Sequence, residues 1–367
     1  MSDPADTPLM REIRARLDAR GPMSVAEYMD LALAHPVHGY YATRDPLGRA
    51  GDFTTAPEIS QMFGEMIGLW LAERRSACPE GAILAEAGPG RGTLMADARR
   101  AAPSLSALPL WLVETSPRLR EEQARRLPDA RFADRLADLP RAPLVLVANE
   151  FLDALPVRQY LSDESGWHEV LVGRGADGGL VFGLSPPLAA SPGHNTPVPP
   201  PKPAPGLWVE RSAAADLALV EIARRIGRHG GAALVVDYGY VGADRPGGPT
   251  LQAVRGHARA DPLDAPGEAD LTWLPDFDHL ALLARAAAAV DAFVQPQGAF
   301  LAALGIGQRA QALAAARPDE AEPVADALER LVMADAMGAR FKALAIVPRG
   351  APAPPGFAPG LPVPSRS

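Results

Sequence analysis

The sequence contains a single cysteine, Cys78, in 367 residues. One cysteine excludes an internal disulfide and any zinc or iron–sulfur site built from several thiolates. No apolar run approaches the roughly 20 residues that a membrane-spanning helix needs. The first residues, MSDPADTPLM, lack the apolar core of a secretory signal and the arginine-rich composition of a transit peptide. We therefore expect a cytoplasmic protein without a membrane span.

Positive charge is also scarce in this sequence. Lysine and arginine number 36 against 44 aspartates and glutamates, which gives a net charge of −8. This balance argues against nucleic-acid binding across the whole surface. His35 and His38 have a spacing seen in some metal sites, but no acid or cysteine completes a ligand set, so we expect no metal.

From Ile83 onwards the sequence alternates between strand and helix patterns. The main strand runs are LWLVETS (110–116), APLVLVANEF (142–151), GAALVVDYGY (231–240) and FKALAIVP (341–348). Continuous apolar strands separated by helices predict a mostly parallel α/β sheet covered on both faces. WHEVLVG and LVFGL, around residues 167–184, predict an antiparallel pair. The low-complexity tail 349–367 predicts disorder, and the proline-rich stretch 185–206 predicts an extended loop.

The stretch ILAEAGPGRGTLMADARRA (83–101) reads as a strand, a glycine turn and a helix. Gly88, Gly90 and Gly92 would let a ligand approach the backbone, where the N–H groups of the helix N-terminus are unpaired. An ordinary strand-to-helix turn has the same pattern, so the turn alone does not identify a ligand.

Two acidic residues narrow the choice of ligand. Glu114 follows Gly88 by 26 residues, at the end of the next strand, where it can accept hydrogen bonds from ribose hydroxyls. That spacing fits a nicotinamide dinucleotide and S-adenosylmethionine (SAM) equally well. Glu86 favours SAM, because a carboxylate before the turn suits a cationic amine and not a pyrophosphate. Thr93 also stands where a dinucleotide turn has its third glycine, although Arg91 could pair with a phosphate or with a carboxylate.

Several longer stretches carry a resemblance to a known family. They include YMDLALAHPVHGYY (28–41), GDFTTAPEISQMFGE (51–65), LAEAGPGRGTLMAD (84–97), VETSPRLREEQ (113–123), ANEFLDALPVRQY (148–160), VVDYGY (235–240), TLQAVRGH (250–257), DLTWLPDF (270–277), QGAFLAALGIGQRA (297–310) and MGARFKALA (337–345). In this order they resemble the SAM-dependent methyltransferases that include the mitochondrial complex I assembly methyltransferase and its bacterial relatives. The family's DLT segment usually continues with a histidine, but this chain has Leu274 and Pro275 there, so no role for a histidine carries over.

The resemblance implies a class I, Rossmann-like methyltransferase fold with a doubly wound, mostly parallel sheet. We expect an N-terminal helical lid over residues 1–80 and a methyltransferase domain over 81–348. A mainly helical insertion is expected near 255–335. The implied reaction is methyl transfer from SAM, in the mitochondrial member to an arginine of a complex I subunit.

The residues allow a mechanistic hypothesis for arginine methylation. A guanidinium stays protonated and is a poor nucleophile, so carboxylates that grip it can orient one nitrogen and offset its charge. Glu150 and Asp153 are the candidates for that role. Alternatively, Asn149 and Glu150 bind the cofactor and Asp153 caps a helix. In the first case Asn149 and Phe151 would flank the transferred methyl group or the adenine.

Other candidate residues have weaker support. Asp52, Glu58 and Gln61 belong to the expected lid and would contact the substrate, although Glu58 is also explained by a capping box with Thr55. The further candidates are Asp237 and His257 as catalytic groups and Tyr238 as a substrate contact, although a lone loop histidine is more often neither base nor contact.

Two other functions remain open from the sequence. The chain could be an assembly factor that binds SAM with little turnover, or an NAD-dependent oxidoreductase. For the methyltransferase we expect a protein substrate and no nucleic-acid partner. A complex I subunit is the candidate substrate, and a homodimer is the candidate assembly.

Overall fold

The computed structural model describes residues 7–43, 55–188 and 204–358. The chain divides into two compact units. Unit 1 comprises Met1–Phe53, Asp153–Ala215 and Asp244–Leu274, and unit 2 comprises Thr54–Leu152, Asp216–Ala243 and Pro275–Ser367. This division differs from the expected lid over residues 1–80, because residues 55–80 belong to the same unit as the glycine turn.

The α-helices of the described residues are, in chain order, α1 (Pro8–Arg20), α2 (Val25–Ala34), α3 (Tyr40–Thr43), α4 (Ala56–Ile59), α5 (Gln61–Ser76), α6 (Thr93–Ala101), α7 (Pro117–Arg126), α8 (Ala213–His229), α9 (Phe277–Ala287), α10 (Gln297–Ala303), α11 (Ile306–Ala316), α12 (Ala321–Val332) and α13 (Met337–Arg340). The strands are β1 (Met23–Ser24), β2 (Ile83–Ala87), β3 (Leu110–Val113), β4 (Arg131–Ala133), β5 (Leu144–Asn149), β6 (Arg158–Asp163), β7 (Gly166–Arg174), β8 (Leu180–Leu184), β9 (Trp208–Arg211), β10 (Gly231–Tyr238), β11 (Gln252–Arg255), β12 (Ala258–Ala260), β13 (Asp270–Thr272), β14 (Val290–Pro296) and β15 (Phe341–Pro348). No described helix is both long enough and apolar enough to cross a membrane.

Unit 2 is built on a seven-stranded sheet in the order β14-β15-β10-β5-β2-β3-β4. The five strands from β10 to β4 are parallel to one another, whereas β15 pairs antiparallel with both β10 and β14. Every residue of β2 and β5 is buried, as continuous apolar strands between two helical layers require. The expectation of a mostly parallel, doubly wound sheet is confirmed.

Helices α5 and α6 pack closely against each other in unit 2 because α5 carries glycine at two contact points. A Cβ at Gly64 would lie 2.6 Å from Asp97 Cβ, and a Cβ at Gly68 would lie 2.5 Å from the carbonyl oxygen of Ala98. The large apolar residues of α5 face the core, as their helical spacing predicts; they are Phe63, Ile67, Trp70 and Leu71.

Unit 1 combines helices α1 and α2 with antiparallel strands. Its larger sheet has the order β1-β7-β6-β9, with β8 paired to β7, and a smaller one has the order β12-β11-β13. The pairing of β7 with β8 confirms the antiparallel pair that WHEVLVG and LVFGL predict. Ser24 caps α2 by accepting a hydrogen bond from the backbone N–H of Glu27.

Two expectations about the C-terminal half are corrected. The stretch 255–335 is not one helical insertion, because β12 and β13 belong to unit 1 and β14 joins the main sheet of unit 2. The tail is not disordered from residue 349, because Phe357 is buried with its ring centroid 5.2 Å from that of Phe300. A Cβ at Gly356 would lie 2.5 Å from Phe300 Cδ2, so glycine permits this contact. Residues 189–203 of the proline-rich loop and 359–367 of the tail lie outside the described part of the chain.

Candidate active site

The glycine turn of unit 2, Gly88–Gly92, follows β2 and leads directly into α6. Gly88, Gly90 and Gly92 have φ values of +65°, +53° and +75°, which strongly favour glycine. A Cβ at Gly88 would also lie 2.9 Å from Phe151 Cδ2. No side chain caps the first turn of α6. Its N-terminal N–H groups therefore suit a partial or full negative charge on a ligand.

Glu86 lies on β2, two residues before the turn, and its side chain is almost completely buried. Burial raises the pKa of its carboxyl group to about 8. Its Oε2 atom has no hydrogen-bond partner among the described residues. A buried acceptor without a partner is costly, and a cationic amine would satisfy it.

Glu114 follows β3, the strand that pairs with β2 in parallel. Its Oε1 accepts hydrogen bonds from the backbone N–H groups of Thr115 and Ser116, both at 2.8 Å. Its Oε2 accepts a hydrogen bond from Gln123 Nε2 at 3.3 Å. Burial raises the pKa of Glu114, and these hydrogen bonds oppose the rise. The structure thus brings both predicted cofactor acids, Glu86 and Glu114, to neighbouring strands beside the glycine turn.

The β5 loop, Glu150–Leu152, contains the next group of candidates. Glu150 has a left-handed backbone with φ of +50°, an uncommon conformation for a residue with a side chain. Its Oε1 accepts hydrogen bonds from the backbone N–H of Ala56 at 3.1 Å and from Asn149 Nδ2 at 3.0 Å. Burial raises the pKa of Glu150. Asn149 is buried at the end of β5, and its Oδ1 has no described partner.

Asp237, predicted as a catalytic group, is fully buried at the end of β10. Its Oδ2 accepts hydrogen bonds from the backbone N–H groups of Phe151 at 3.2 Å and Leu152 at 2.8 Å. Its Oδ1 accepts one from the N–H of Tyr238 at 2.9 Å. These contacts show that Asp237 holds the β5 loop, so its position is explained without a catalytic role. The Tyr238 ring packs against Phe341 with centroids 3.9 Å apart.

The predicted capping box of Thr55 and Glu58 is wrong. The Thr55 side chain makes no cap hydrogen bond, and the carboxylate of Glu150 takes its place at the first N–H of α4. Glu58 instead accepts a hydrogen bond from the Thr93 hydroxyl at 2.6 Å, at the start of α6. Glu58 therefore contacts the element that follows the glycine turn. Gln61 begins α5 and is half-buried.

Of the predicted site residues that the structure describes, Asp153 and His257 lie in unit 1. Asp153 is buried there. Burial raises the pKa of Tyr41, and the negative charges of Asp270 and Asp153 raise it further. The Tyr41 hydroxyl donates a hydrogen bond to Asp270 Oδ1 at 3.4 Å. Residues from three family-specific stretches, GYY, NEFLDALP and DLTW, therefore meet within unit 1. The sequence analysis did not single out Tyr41 or Asp270.

His257 is exposed in the two-residue loop between β11 and β12. Gly256 and His257 have φ of +59° and +61°, as a tight hairpin turn requires. Turn geometry thus explains this histidine. Asp52, the remaining substrate candidate, lies outside the described residues.

His35 and His38 also have a structural explanation for their spacing. The Nδ1 atom of His35 accepts hydrogen bonds from the backbone N–H groups of Val37 and His38, and its Nε2 lies 3.1 Å from Glu12 Oε2. Within the described ranges, no three His, Cys, Asp or Glu side chains are grouped as a metal site would require.

The sequence analysis also missed Gln123, which is fully buried on α7. Its Nε2 donates to the carbonyl oxygen of Gly90 at 2.6 Å as well as to Glu114. A signal for it exists, because Gln123 lies four residues after the buried Leu119 and so occupies the apolar face of an otherwise polar helix.

Comparison with known protein families identifies this arrangement. Residues 66–295 match the family described as "Putative S-adenosyl-L-methionine-dependent methyltransferase". The chain belongs to this family. The match decides the choice that the sequence left open between SAM and a nicotinamide dinucleotide, and SAM is the cofactor of this methyltransferase.

Named relatives resemble the methyltransferase over most of its length. It is 34% identical to the mitochondrial protein arginine methyltransferase NDUFAF7 of Danio rerio, over 92% of this chain and 86% of that protein. It is 36% identical to the mitochondrial homologue from Drosophila melanogaster, over 93% and 85% of the two chains. Because these relatives are named as mitochondrial proteins, the expectation of a cytoplasmic location is corrected.

A solved structure supports the fold and the cofactor. It is described as a "likely methyl transferase from Burkholderia thailandensis bound to S-adenosyl-homocysteine". The two chains are 26% identical and superimpose with a TM-score of 0.82, over 96% of this chain and 95% of that one.

The methyltransferase has suitable groups for SAM around its glycine turn. Three buried acceptor atoms there have no partner among the described residues: Glu86 Oε2, Gln123 Oε1 and Asn149 Oδ1. SAM offers donors of matching kind, an ammonium group, two ribose hydroxyls and an adenine amine. The residues present therefore fit the cofactor.

Proposed function

We propose that this methyltransferase transfers a methyl group from SAM to an arginine guanidinium of a protein partner. The observation that carries the proposal is Glu150, a half-buried carboxylate held in a left-handed backbone next to Asn149 and Phe151. Its support from outside the chain is the similarity to relatives named protein arginine methyltransferases.

We assign the cofactor contacts as follows. Gly88, Gly90 and Gly92 hold the methionine part of SAM, because the turn brings bare backbone close to the ligand. Glu86 accepts the amine, and Glu114 accepts hydrogen bonds from the ribose. Asn149 and Phe151 flank the reacting methyl group or the adenine.

The chemistry of the step is supplied by the cofactor's sulfonium methyl group. The chain's own task is to align one guanidinium nitrogen with that carbon and to exclude water. Glu150 is the carboxylate that we propose for gripping the guanidinium, as charge-assisted hydrogen bonds do. The same role for Asp153 stays a prediction from the sequence. Because its pKa is raised, Glu150 is also a better proton acceptor than an exposed glutamate.

The other predicted residues keep smaller roles in this proposal. Asp237 fixes the β5 loop that presents Glu150, and it does so through backbone N–H groups. We retain Glu58, Gln61 and Tyr238 as substrate-side contacts, whereas the catalytic role expected for His257 stays a prediction from the sequence.

The partner that we propose is a subunit of the respiratory complex I type. Relatives described as NDUFAF7 support a protein substrate, and complex I assembly is the role that the family resemblance implies. A homodimer remains a prediction that sedimentation equilibrium can measure directly.

The test uses complex I isolated from cells that lack this protein, incubated with methyl-labelled SAM and the purified enzyme. We expect one labelled subunit, with methylarginine identified by mass spectrometry. Label on another residue type, or none despite tight SAM binding, would contradict the proposal; the second result would favour an assembly factor with little turnover.

Glu150→Gln tests the assigned carboxylate in the same assay. The amide oxygen can still accept the N–H of Ala56, so the loop contact survives while the negative charge is lost. We expect SAM binding within about threefold of wild type and a loss of transfer on the order of 100-fold. Glu322→Gln, an exposed change on α12, is the matched control. Full transfer by Glu150→Gln would show that its charge is not needed.

A further inference from the structure

Gln123 occupies an unusual place on α7. Most residues of α7 are charged, and Gln123 and Leu119 are its two buried residues. Its Cγ would lie 3.7 Å from a Cβ placed on Gly92. The side chain therefore packs directly beneath the glycine turn.

Both N–H bonds of the Gln123 amide donate hydrogen bonds to groups beside the proposed SAM site. Nε2 donates to the carbonyl oxygen of Gly90 at 2.6 Å and to Glu114 Oε2 at 3.3 Å. These acceptors belong to different elements, the turn after β2 and the segment after β3. One amide group thus bridges the two halves of the SAM site.

The amide orientation follows from these contacts. If the oxygen and nitrogen were exchanged, Oε1 would face a carbonyl oxygen and a carboxylate, which repel it. In the orientation observed, Oε1 is buried without a described partner. Such a group opposes folding, and an apolar side chain of similar size would not. What an apolar side chain could not supply here is the pair of hydrogen bonds to Gly90 and Glu114.

We infer that Gln123 is a positioning residue of the SAM site, which fixes the glycine turn relative to the ribose-binding carboxylate of Glu114. It acts through Gly90 and Glu114 and not by touching the reacting atoms. The inference rests on the proposed ribose contact of Glu114.

A matched control exists in the same unit. Gln297 is also fully buried, its Nε2 donates to the carbonyl oxygen of Leu331 at 2.9 Å, and its Oε1 has no described partner. Its amide chemistry is the same as that of Gln123, but its hydrogen-bond acceptor is on α12. Comparing the two separates a role in cofactor positioning from a role in packing.

The experiment measures S-adenosylhomocysteine binding by calorimetry and the melting temperature of the ligand-free protein. For Gln123→Met we expect binding about tenfold weaker and a melting temperature unchanged or higher. For Gln297→Met we expect binding within about twofold of wild type. A lower melting temperature with unchanged binding for Gln123→Met, or equal losses of binding in both variants, would overturn the inference.

Gln123→Glu provides a second variant, because it keeps the size and polarity of the side chain. It loses the donors and places a carboxylate beside Glu114, so we expect a binding loss larger than that of Gln123→Met. Binding equal to wild type would count against the inference.

A cycle with Glu114→Ala identifies the route of the effect. We expect Glu114→Ala alone to weaken binding, and Gln123→Met to cost less in that background than in wild type. If Glu114→Ala weakens binding but Gln123→Met does not, the positioning role of Gln123 is wrong while the ribose contact of Glu114 stands. If Glu114→Ala leaves binding unchanged, the proposed ribose contact fails.

Discussion

The glycine turn after β2 and the β5 loop, both in unit 2, use their polar side chains differently. At the glycine turn, the carboxylate of Glu86 ends in an oxygen without a described partner. At the β5 loop, Glu150 of the loop and Asp237 of β10 accept hydrogen bonds from backbone N–H groups. We propose that the first region keeps an acceptor for the cofactor amine. The second uses backbone hydrogen bonds to fix its own shape, although Asn149 Oδ1 at the end of β5 also lacks a described partner. Cofactor affinity should therefore depend on the turn, and alignment of the acceptor on the loop.

Of the changes that test this difference between the turn and the loop, Gly88→Ala should have the largest effect on cofactor affinity. The change strains a left-handed backbone and places a Cβ 2.9 Å from Phe151 Cδ2, so it disturbs both regions together. We expect S-adenosylhomocysteine affinity to fall on the order of 100-fold, measured by calorimetry. Gly81→Ala is the control, because Gly81 has φ of +77° but nothing within 4 Å of the new Cβ. Equal affinities in both variants would show that the contact with Phe151 is unimportant.

Asp237→Ala should affect the loop more than the turn. The substitution leaves three backbone N–H groups without their acceptor, so we expect the free energy of unfolding to fall by about 3 kcal/mol in urea titrations. Asp237→Asn retains one acceptor oxygen and should lose less. A fall below about 1 kcal/mol for Asp237→Ala would mean that the loop holds its shape without this carboxylate.

The free energy of unfolding should depend on pH because of Glu86, the buried carboxyl group that precedes the glycine turn. The pKa of Glu86 is raised to about 8 from an ordinary 4.5, so between these values the native state binds more protons than the unfolded state. The free energy of unfolding therefore decreases as pH rises through this window. We expect a shallower decrease for Glu86→Gln, compared with wild type by urea denaturation from pH 5 to 8.5. Parallel curves would contradict the raised pKa.

The smallest effect is expected at the hydrogen bond between Glu58 of α4 and Thr93 at the start of α6. Thr93→Val removes the hydroxyl that donates to Glu58, at the cost of about 1 kcal/mol of stability. Thr43→Val in unit 1 removes a hydroxyl that donates to a backbone carbonyl and serves as the comparison. We expect only Thr93→Val to weaken cofactor binding, by a few-fold. Equal cofactor binding by the two variants would show that the contact between α4 and α6 does not affect the cofactor site.

The sequence predicts the parallel sheet, and it predicts that Glu86 and Glu114 precede and follow the glycine turn at strand ends, because both depend on local patterns. Apolar runs define buried strands, and Glu86 and Glu114 stand at fixed positions relative to the glycines. The capping box at Thr55 could not be excluded, because the group that replaces the Thr55 hydroxyl is Glu150, 94 residues away from Ala56. Contacts of such long range leave no local signature.

The role of Asp237 and the division of the chain were beyond the sequence for the same reason. An acid at a strand end looks catalytic until its backbone partners in the β5 loop are known. Residues 55–80 look like a continuation of the N-terminal helices, yet the glycines of α5 pack them against α6. Gln123 was the exception, because its place on an apolar helix face was a readable signal.

The central claim is that the free oxygen of Glu86 receives the cofactor amine. The most direct test compares the binding of S-adenosylhomocysteine with that of its deaminated analogue, in wild type and in Glu86→Gln. We expect removal of the amine to weaken wild-type binding about 10- to 100-fold and to matter far less in the variant. An equal loss in both proteins would contradict the claim.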